Sequence, residues 1–440
     1  MTQQSMLAAV SGIAANQTYL DEVANNIANV NTVGYKAGSV QFQDLLSQQL
    51  SGASAPSANG TSGGINPVAI GSGVRVGANQ LNLNEGTFEQ TGQPTDVAIN
   101  GAGYLVVENG GQQQFTRDGS LTQDANGDLT TQGGALVQGW IANASGVVNN
   151  NGPLTAIKIP TGATIGASAT TELTVGGNLP AWNGTGTPPS DVTTTYNAYD
   201  QLGNVIPVTL TFSPGTAANT WTVQGTIPNA SGSGTTKLFT SPPTITFDTT
   251  GQITSISGVT ANSDGSFSLK TTGTLGSGGA GYTNLPASAS WNINFPAPGS
   301  AGDVTQFNSA KSLQIQSGDG HTSGQLTNYS IGADGTITGS FSNGTTLALG
   351  QIALAGFANP GGLSDQGGGL FAAGPNSGQA LIGAPGTGGR GQLLGGELEQ
   401  SNVDLGTELT DLINAQEAYT ANTKVLTATN TSIQSLEAVQ

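Results

Sequence analysis

Residues 5–36 read Ser5-Met-Leu-Ala-Ala-Val10-Ser-Gly-Ile-Ala-Ala-Asn-Gln-Thr-Tyr-Leu20-Asp-Glu-Val-Ala-Asn-Asn-Ile-Ala-Asn-Val30-Asn-Thr-Val-Gly-Tyr-Lys36. Met6, Val10, Ile13, Gln17, Leu20, Ala24 and Ile27 step by four and three residues in turn, the spacing of an a/d heptad seam on a helix. Gly12 alone interrupts residues 5–30, and no proline does. The expected helix covers 5–30, with one polar break in its seam at Gln17. It should stop near Asn31-Thr-Val-Gly34-Tyr35, where asparagine and glycine favour a left-handed C-terminal cap.

The other end repeats the design. Ser401-Asn-Val-Asp404 has the pattern of a helix start, with Ser401 as the cap and an acid three residues on. From there Leu405, Leu409, Leu412, Gln416, Tyr419, Thr423, Leu426, Asn430 and Ile433 again step by four and three. Gln416, Thr423 and Asn430 lie seven apart, so one column of the seam is polar; such a column costs stability but sets register and partner number. At about 1.5 Å per residue a helix over 403–438 would run about 50 Å. Neither stripe can be buried by its own helix. A helical hairpin closing a globular domain would cover both, and so would packing among many copies. The distance between the two ends, and their shortage of large apolar residues, favour many copies, since such helices are marginal in isolation.

Between the helices the character changes. Ser51-Gly-Ala-Ser-Ala-Pro-Ser-Ala-Asn-Gly-Thr-Ser-Gly-Gly64 lies in an expected flexible or extended linker over 36–75. From about 76 to 385 the chain reads as β. Asn126-Gly127 sits between Leu121 and Leu129. Asp200-Gln-Leu-Gly203-Asn204 sits between Thr195-Tyr196 and the alternating run Val205–Phe212. Asp334-Gly335 precedes Thr336-Ile337-Thr338. Each is a turn flanked by β-branched or aromatic residues. The Gly- and Thr-rich stretch around 260–283 is expected to join two β domains or to form long surface loops.

Composition agrees with turn-rich β domains of modest core: 35% apolar, 8% charged and 68 glycines in 440 residues. The net charge is −17, and the nine basic residues are scattered singly. No basic patch could neutralise phosphates, so nucleic-acid binding is not expected; the acidic balance favours solubility before assembly. The absence of cysteine excludes disulfides, thiol nucleophiles and cysteine-based metal sites. With no long apolar run, neither membrane insertion nor a cleaved signal peptide is expected.

A search for chemistry finds no expected catalytic, cofactor or metal residues. His321, the sole histidine, stands in the turn-like Gly-Asp-Gly-His-Thr, and no Gly-x-Ser-x-Gly elbow accompanies it. Asp124-Ala-Asn-Gly-Asp128 has part of a Ca²⁺-loop pattern but lacks the distal glutamate, and reads better as a hairpin turn. Gly383-Ala-Pro-Gly-Thr-Gly-Gly-Arg390 lacks the Gly-Lys-Ser/Thr ending of a phosphate loop. An enzyme is therefore not expected.

Residues 24–36 resemble the N-terminal signature of the bacterial flagellar rod and hook family, Asn-Ile-Ala-Asn-x-Asn-Thr-x-Gly-Tyr-Lys. The matching positions are Asn26, Ile27, Ala28, Asn29, Asn31, Thr32, Gly34, Tyr35 and Lys36. Asp96–Tyr104, Phe115-Thr-Arg-Asp-Gly119 and Gly127-Asp-Leu129 resemble the β segment that follows in that family. Gly396–Leu405 and Ala415–Asn422 resemble its C-terminal signature, with one departure: Glu417 stands where many members carry a basic residue. The long insertion, with Asn197–Asn204 and Leu349–Asn359, is hook-like, whereas distal rod members are much shorter.

The resemblance implies a mixed, mainly β fold, with long terminal α-helices pairing as a coiled coil and two β-rich domains inserted between them. Residues 1–35 and 400–440 would form an inner tube. Residues 76–150 and 305–399 would make an inner β domain, and 151–304 an outer one. The implied function is a self-assembling structural subunit, a universal joint between rod and filament. Implied partners are copies of itself, the distal rod, the hook cap, the hook–filament junction proteins and the flagellar type III export apparatus. The implied location is extracellular, in the flagellum. A secreted β-rich adhesin or glycan-binding module is the alternative of another class, and it leaves the two heptad ends unexplained.

Overall fold

The computed structural model describes residues 2–53, 55, 63–160, 162–273, 275, 280–282, 284–285 and 289–437. Residues 54 and 56–62 of the expected linker, and 274, 276–279 and 283 of the Gly/Thr-rich stretch, lie outside the described residues.

Helix α1 spans Thr2–Ala28 and helix α2 spans Leu405–Glu437, with strands between. The helices form where the sequence offers long runs without proline. The α2 start lies two residues beyond expectation and its cap three. Asp404 caps it: its Oδ1 accepts from the Gly406 N–H at 2.8 Å and the Thr407 N–H at 3.3 Å. Ser401 sits upstream in extended chain, where its hydroxyl accepts from Val403. A carboxylate at the helix N-terminus also meets the positive end of the helix dipole, so the nearer acid takes the cap.

The chain divides into two compact units. The first comprises Met1–Thr161, Tyr329–Gly339 and Leu347–Gln440; the second comprises Gly162–Asn328 and Ser340–Thr346. Residues 305–328 and 340–346 therefore lie in the second unit, not with the rest of 305–399 as the sequence reading expected. The reason is pairing: Val304–Phe307 runs parallel to Glu172–Pro180, and Gln314–Gly318 runs antiparallel to it. Residues 151–161 belong to the first unit.

In the second unit, Val192–Tyr199, Val205–Pro214 and Thr220–Pro228 form an antiparallel meander. Alternate residues point inward, and Ile206, Val208, Leu210 and Phe212 are all fully buried, the period-two pattern of a half-covered sheet. Against them pack Leu173, Val175, Trp221, Trp291, Ile293 and Phe295, in one continuous core.

In the first unit, Leu136–Ile141, Tyr104–Asn109 and Gln112–Thr116 lie side by side over a small core of Tyr104, Val106, Phe115 and Trp140. The 36–75 stretch is more structured than a plain linker. Gly38–Asp44 pairs with Val74–Leu81, and Gln48–Ser51 with Val68–Ile70. The first pair lies along α1: Tyr19 stacks edge-on against Phe42 at 5.7 Å, Asn79 donates to Glu22 at 2.8 Å, and the Val74 N–H donates to the Ser11 hydroxyl.

One turn design recurs. At Asp124, Asn143, Asp200 and Asp248 a side-chain Oδ1 accepts from the N–H groups two and four residues on, at 2.8–3.0 Å. The residue three on is glycine with positive φ, as at Gly203 (φ 82°). Asp124 thus spends Oδ1 on the turn's backbone and Oδ2 on the Asn126 side-chain amide, which accounts for the partial Ca²⁺-loop pattern.

Candidate assembly interface

The Asn-rich motif ties α1 to the β scaffold. Asn26 is 1% exposed. Its Oδ1 accepts from the Gly38 N–H at 3.0 Å, and its Nδ2 donates to the Gly38 carbonyl at 2.8 Å and to Glu408 of α2 at 3.1 Å. The Tyr35 hydroxyl donates to Asn26 at 3.0 Å. Burial, then the charges of Glu22, Glu408 and Asp365, push that phenol up to about 12. Asn29 donates back to the Asn25 carbonyl and accepts from Thr32, closing the frayed end of the helix. Asn31 is exposed.

Gly34 and Lys36 dock the motif onto two distant segments. Gly34 has φ 69°, and a Cβ there would stand 2.7 Å from the Arg117 carbonyl oxygen, so only glycine fits. The Lys36 ammonium meets Glu399 Oε1 at 2.5 Å and donates to the Asn84 carbonyl at 2.8 Å. Arg117 meets Glu399 Oε2 at 3.2 Å, donates to the Gly101 carbonyl, and lies 5.5 Å from the centre of the Tyr104 ring. All three charged side chains are buried. Burial pushes the Lys36 pKa down, and Glu399 opposes that shift. With two cations on one carboxylate, the Gly86 N–H on Oε1 and carbonyls on the cations complete the satisfaction that buried charge requires. Asn402 adds a second tie, accepting from Ala37 and donating to the Asn82 and Asn84 carbonyls.

Beyond this root the helices pair antiparallel: Asn26 faces Glu408, Tyr19 faces Asp411, and Gly12 faces Asn422. The seam between them is not the expected one. On α1 the covered stripe is Ala9, Gly12, Ala15, Tyr19, Val23 and Asn26. All but Ala15 lie one residue before a position of the expected seam, a rotation of about 100°. Met6 and Val10 are exposed, and Ile13, Leu20 and Ile27 are partly buried on the flank. On α2 the covered stripe is Glu408, Asp411, Ala415, Ala418, Asn422, Leu426 and Thr429. Of the expected positions, Leu405, Leu409, Gln416, Tyr419 and Asn430 are exposed, while Leu412, Thr423, Leu426 and Ile433 are partly buried. Small and polar residues let the two backbones approach closely: a Cβ on Gly12 would lie 2.9 Å from the Asn422 amide. The large apolar residues are thereby turned outward, with Leu7 64% and Ile413 56% exposed.

Glu399, Arg117, Asn402 and Glu408 were not singled out from the sequence. The signal available was scarcity: in a chain with nine basic residues, Lys36 and Arg117 both fall inside family-like blocks. His321 contacts the Thr322 carbonyl and Asn343, with no nucleophile arrayed on it. Among the described residues no cluster of metal-ligating side chains occurs, and no helix is long and apolar enough to cross a membrane.

Four family models match the chain. They are "Flagella basal body rod protein" at 6–36, "Flagellar hook protein FlgE/F/G D1 domain" at 98–178, "Flagellar basal body protein FlaE D2 domain" at 178–321, and "Flagellar basal body rod FlgEFG protein C-terminal" at 394–439. Together they define the class: structural subunits of the flagellar rod and hook. Three curated relatives narrow it. The flagellar hook proteins FlgE of Treponema pallidum and Borreliella burgdorferi are each 33% identical, over 98% of this chain and 98% of theirs. That of Salmonella typhimurium is 31% identical over 95% of each. The chain belongs to the flagellar hook protein family.

Proposed function

We propose that this structural hook subunit polymerises through its terminal helices into a hollow, flexible tube that passes torque from rod to filament. One observation supports the reading above the rest: the helices spend small and polar residues on each other and leave Met6, Leu7, Val10, Leu409, Ile413 and Val425 uncovered. An exposed apolar set of that size on paired helices calls for further copies. In this reading the helices line the inner wall, and the β units make the outer layers. Glycine-rich, weakly charged β surfaces slide past neighbours at each turn without large desolvation penalties. The distal rod lies below, the hook cap above during growth, and the junction proteins above afterwards. Export runs through the flagellar type III apparatus, with the N-terminal stretch contributing to recognition.

Deleting the chain from Leu426 onward removes the last turns of α2. Sedimentation and electron microscopy should then show no tubes, while near-ultraviolet circular dichroism of the β units, which hold all four tryptophans, stays native. Tubes made by the truncated chain would refute the proposal.

A further inference from the structure

Seven Asn-Gly pairs occur in the chain, at Asn59, Asn100, Asn109, Asn126, Asn151, Asn183 and Asn343. Such a pair is chemically unstable wherever the backbone can fold back on itself, because a glycine nitrogen, unhindered by a Cβ, can reach the asparagine Cγ. Asn59 lies outside the described residues. In five of the other six a hydrogen bond holds one of the reacting groups. The Gly127 N–H donates to the Asp124 carbonyl at 3.1 Å, and Asn126 Nδ2 to Asp124 Oδ2 at 3.2 Å. The Gly152 N–H donates to the Asn149 carbonyl at 3.2 Å. The Gly344 N–H donates to the Phe341 carbonyl at 2.9 Å, and Asn343 Nδ2 to the Thr322 carbonyl at 2.7 Å. Asn183 Oδ1 accepts from both the N–H and the hydroxyl of Thr185 at 3.1 Å. The Gly101 N–H donates to Glu85; a carboxylate is far too weak a base to take an amide proton, so this bond pins the nitrogen rather than activating it.

Asn109 is held by none of these devices. It ends the strand Tyr104–Asn109, and Gly110-Gly111 joins it to Gln112–Thr116. Both glycines have positive φ, 58° and 79°, as a two-residue hairpin loop requires. Asn109, Gly110 and Gly111 are exposed, and a Cβ on either glycine would meet nothing within 4 Å. Neither the Asn109 side chain nor the Gly110 N–H has a hydrogen-bond partner among the described residues. Only the last rung of the ladder, Asn109 opposite Gln112, has to open.

We propose that Asn109 is a site of self-modification. The Gly110 nitrogen loses its proton to solvent base and bonds to Asn109 Cγ. The Cγ–Nδ2 bond then breaks, and the amide leaves as ammonia with a proton returned from solvent. Water opens the cyclic imide at one carbonyl or the other, leaving aspartate or isoaspartate at 109. One water is consumed and one ammonia released, with no change of oxidation state. The product adds a negative charge beside Glu108, on a chain whose net charge is already −17. Opening toward isoaspartate also lengthens the backbone at the tip and presents the carboxyl that isoaspartyl methyltransferases take as substrate. The inference does not rest on the polymer reading.

The test is incubation of the full-length chain in mildly alkaline buffer, followed by peptide mapping with mass spectrometry at each Asn-Gly pair. A hydrogen bond that must be given up slows ring closure by about threefold to tenfold. Asn109 should therefore convert about tenfold faster than any of the other five described pairs. The peptide carrying residue 109 should accept a methyl group from an isoaspartyl methyltransferase. Unfolded in urea, the same chain should convert all six at similar rates, because the hydrogen bonds that separate them are gone. Any of the five converting as fast as Asn109 in the folded chain would overturn the proposal. So would a lead for Asn109 that persists undiminished in urea, since the selectivity would then belong to the neighbouring sequence and not to the fold.

Discussion

The helix pair and the second unit solve burial in opposite ways. The second unit hides Trp221, Trp291, Phe212, Phe239 and Phe295 in one core, each of a size that dominates the stability of a small domain. The helix pair buries mainly small and polar residues, with Val23, and leaves Met6, Leu7, Val10, Leu405, Leu409, Ile413 and Val425 exposed to solvent. One region is covered within a single chain; the other, on the reading proposed above, is half of an interface. A subunit that must be both a stable building block and a polymer joint benefits from this division, because the joint's apolar energy is held back until copies meet.

The largest effect expected inside the chain is at the root where the helices join the β scaffold. Glu399→Gln leaves Lys36 and Arg117 buried without their carboxylate, and should cost about 3–5 kcal/mol of first-unit stability in chemical denaturation. The second unit should keep its unfolding midpoint. Loss of both together would dissolve the distinction between the regions. Next comes Gly34→Ala, which forces φ 69° on a side chain against the Arg117 carbonyl. About 1–3 kcal/mol should appear as faster amide exchange confined to 26–40 and 399–410.

The smallest effect is on pH, and it should have opposite signs in the two regions. Burial, then the charges of Asp411, Glu22 and Asp404, push the Glu408 carboxyl above its ordinary value of 4.5, against the pull of its bond to Asn26. The folded form therefore takes up a proton more readily than the unfolded one. Helix-pair stability should rise as pH falls from neutral toward about 4.5, and be lost again as pH climbs through the raised value. Asp248 is held below 3.8 by the Thr250 hydroxyl and the Gln252 N–H. In Asp200, burial pushes upward but the Asn204 side chain and N–H outweigh it. Their turns are stabilised above the unfolded value and lose that support as pH falls through the lowered one. Melting followed by helical dichroism and by tryptophan fluorescence should separate the two trends, and Glu408→Gln should flatten only the first.

Much of this was legible in the residues. The heptad steps located both helices within a few positions, and Asp200-x-x-Gly203 and Asn126-Gly127 marked hairpins that form. The rotation of the seam was not legible. Periodicity finds the apolar stripe of a helix, and here that stripe is aimed at something other than the helix partner, so a rule equating apolar with covered picks the wrong face by one residue. Nor could local pattern place 305–328, whose unit is decided by pairing with Glu172–Pro180 more than a hundred residues earlier. The Lys36–Glu399–Arg117 cluster escaped for the same reason, since its members lie 81 to 363 residues apart along the chain.

That same strand, Glu172–Pro180, sets a clock. The Asx-glycine turns close their hairpins over a few residues, on the microsecond scale of hairpin formation. Glu172–Pro180 must wait for partners at 292–295, 304–307 and 314–318, and contacts of such separation slow folding through the entropy of closing the loop. A chain emerging N-terminus first would carry preformed hairpins for as long as its C-terminal strands were still to come. The second unit, and after it α2, would lock only at the end, so the surface proposed to recruit the next copy would be the last part of the molecule to be finished.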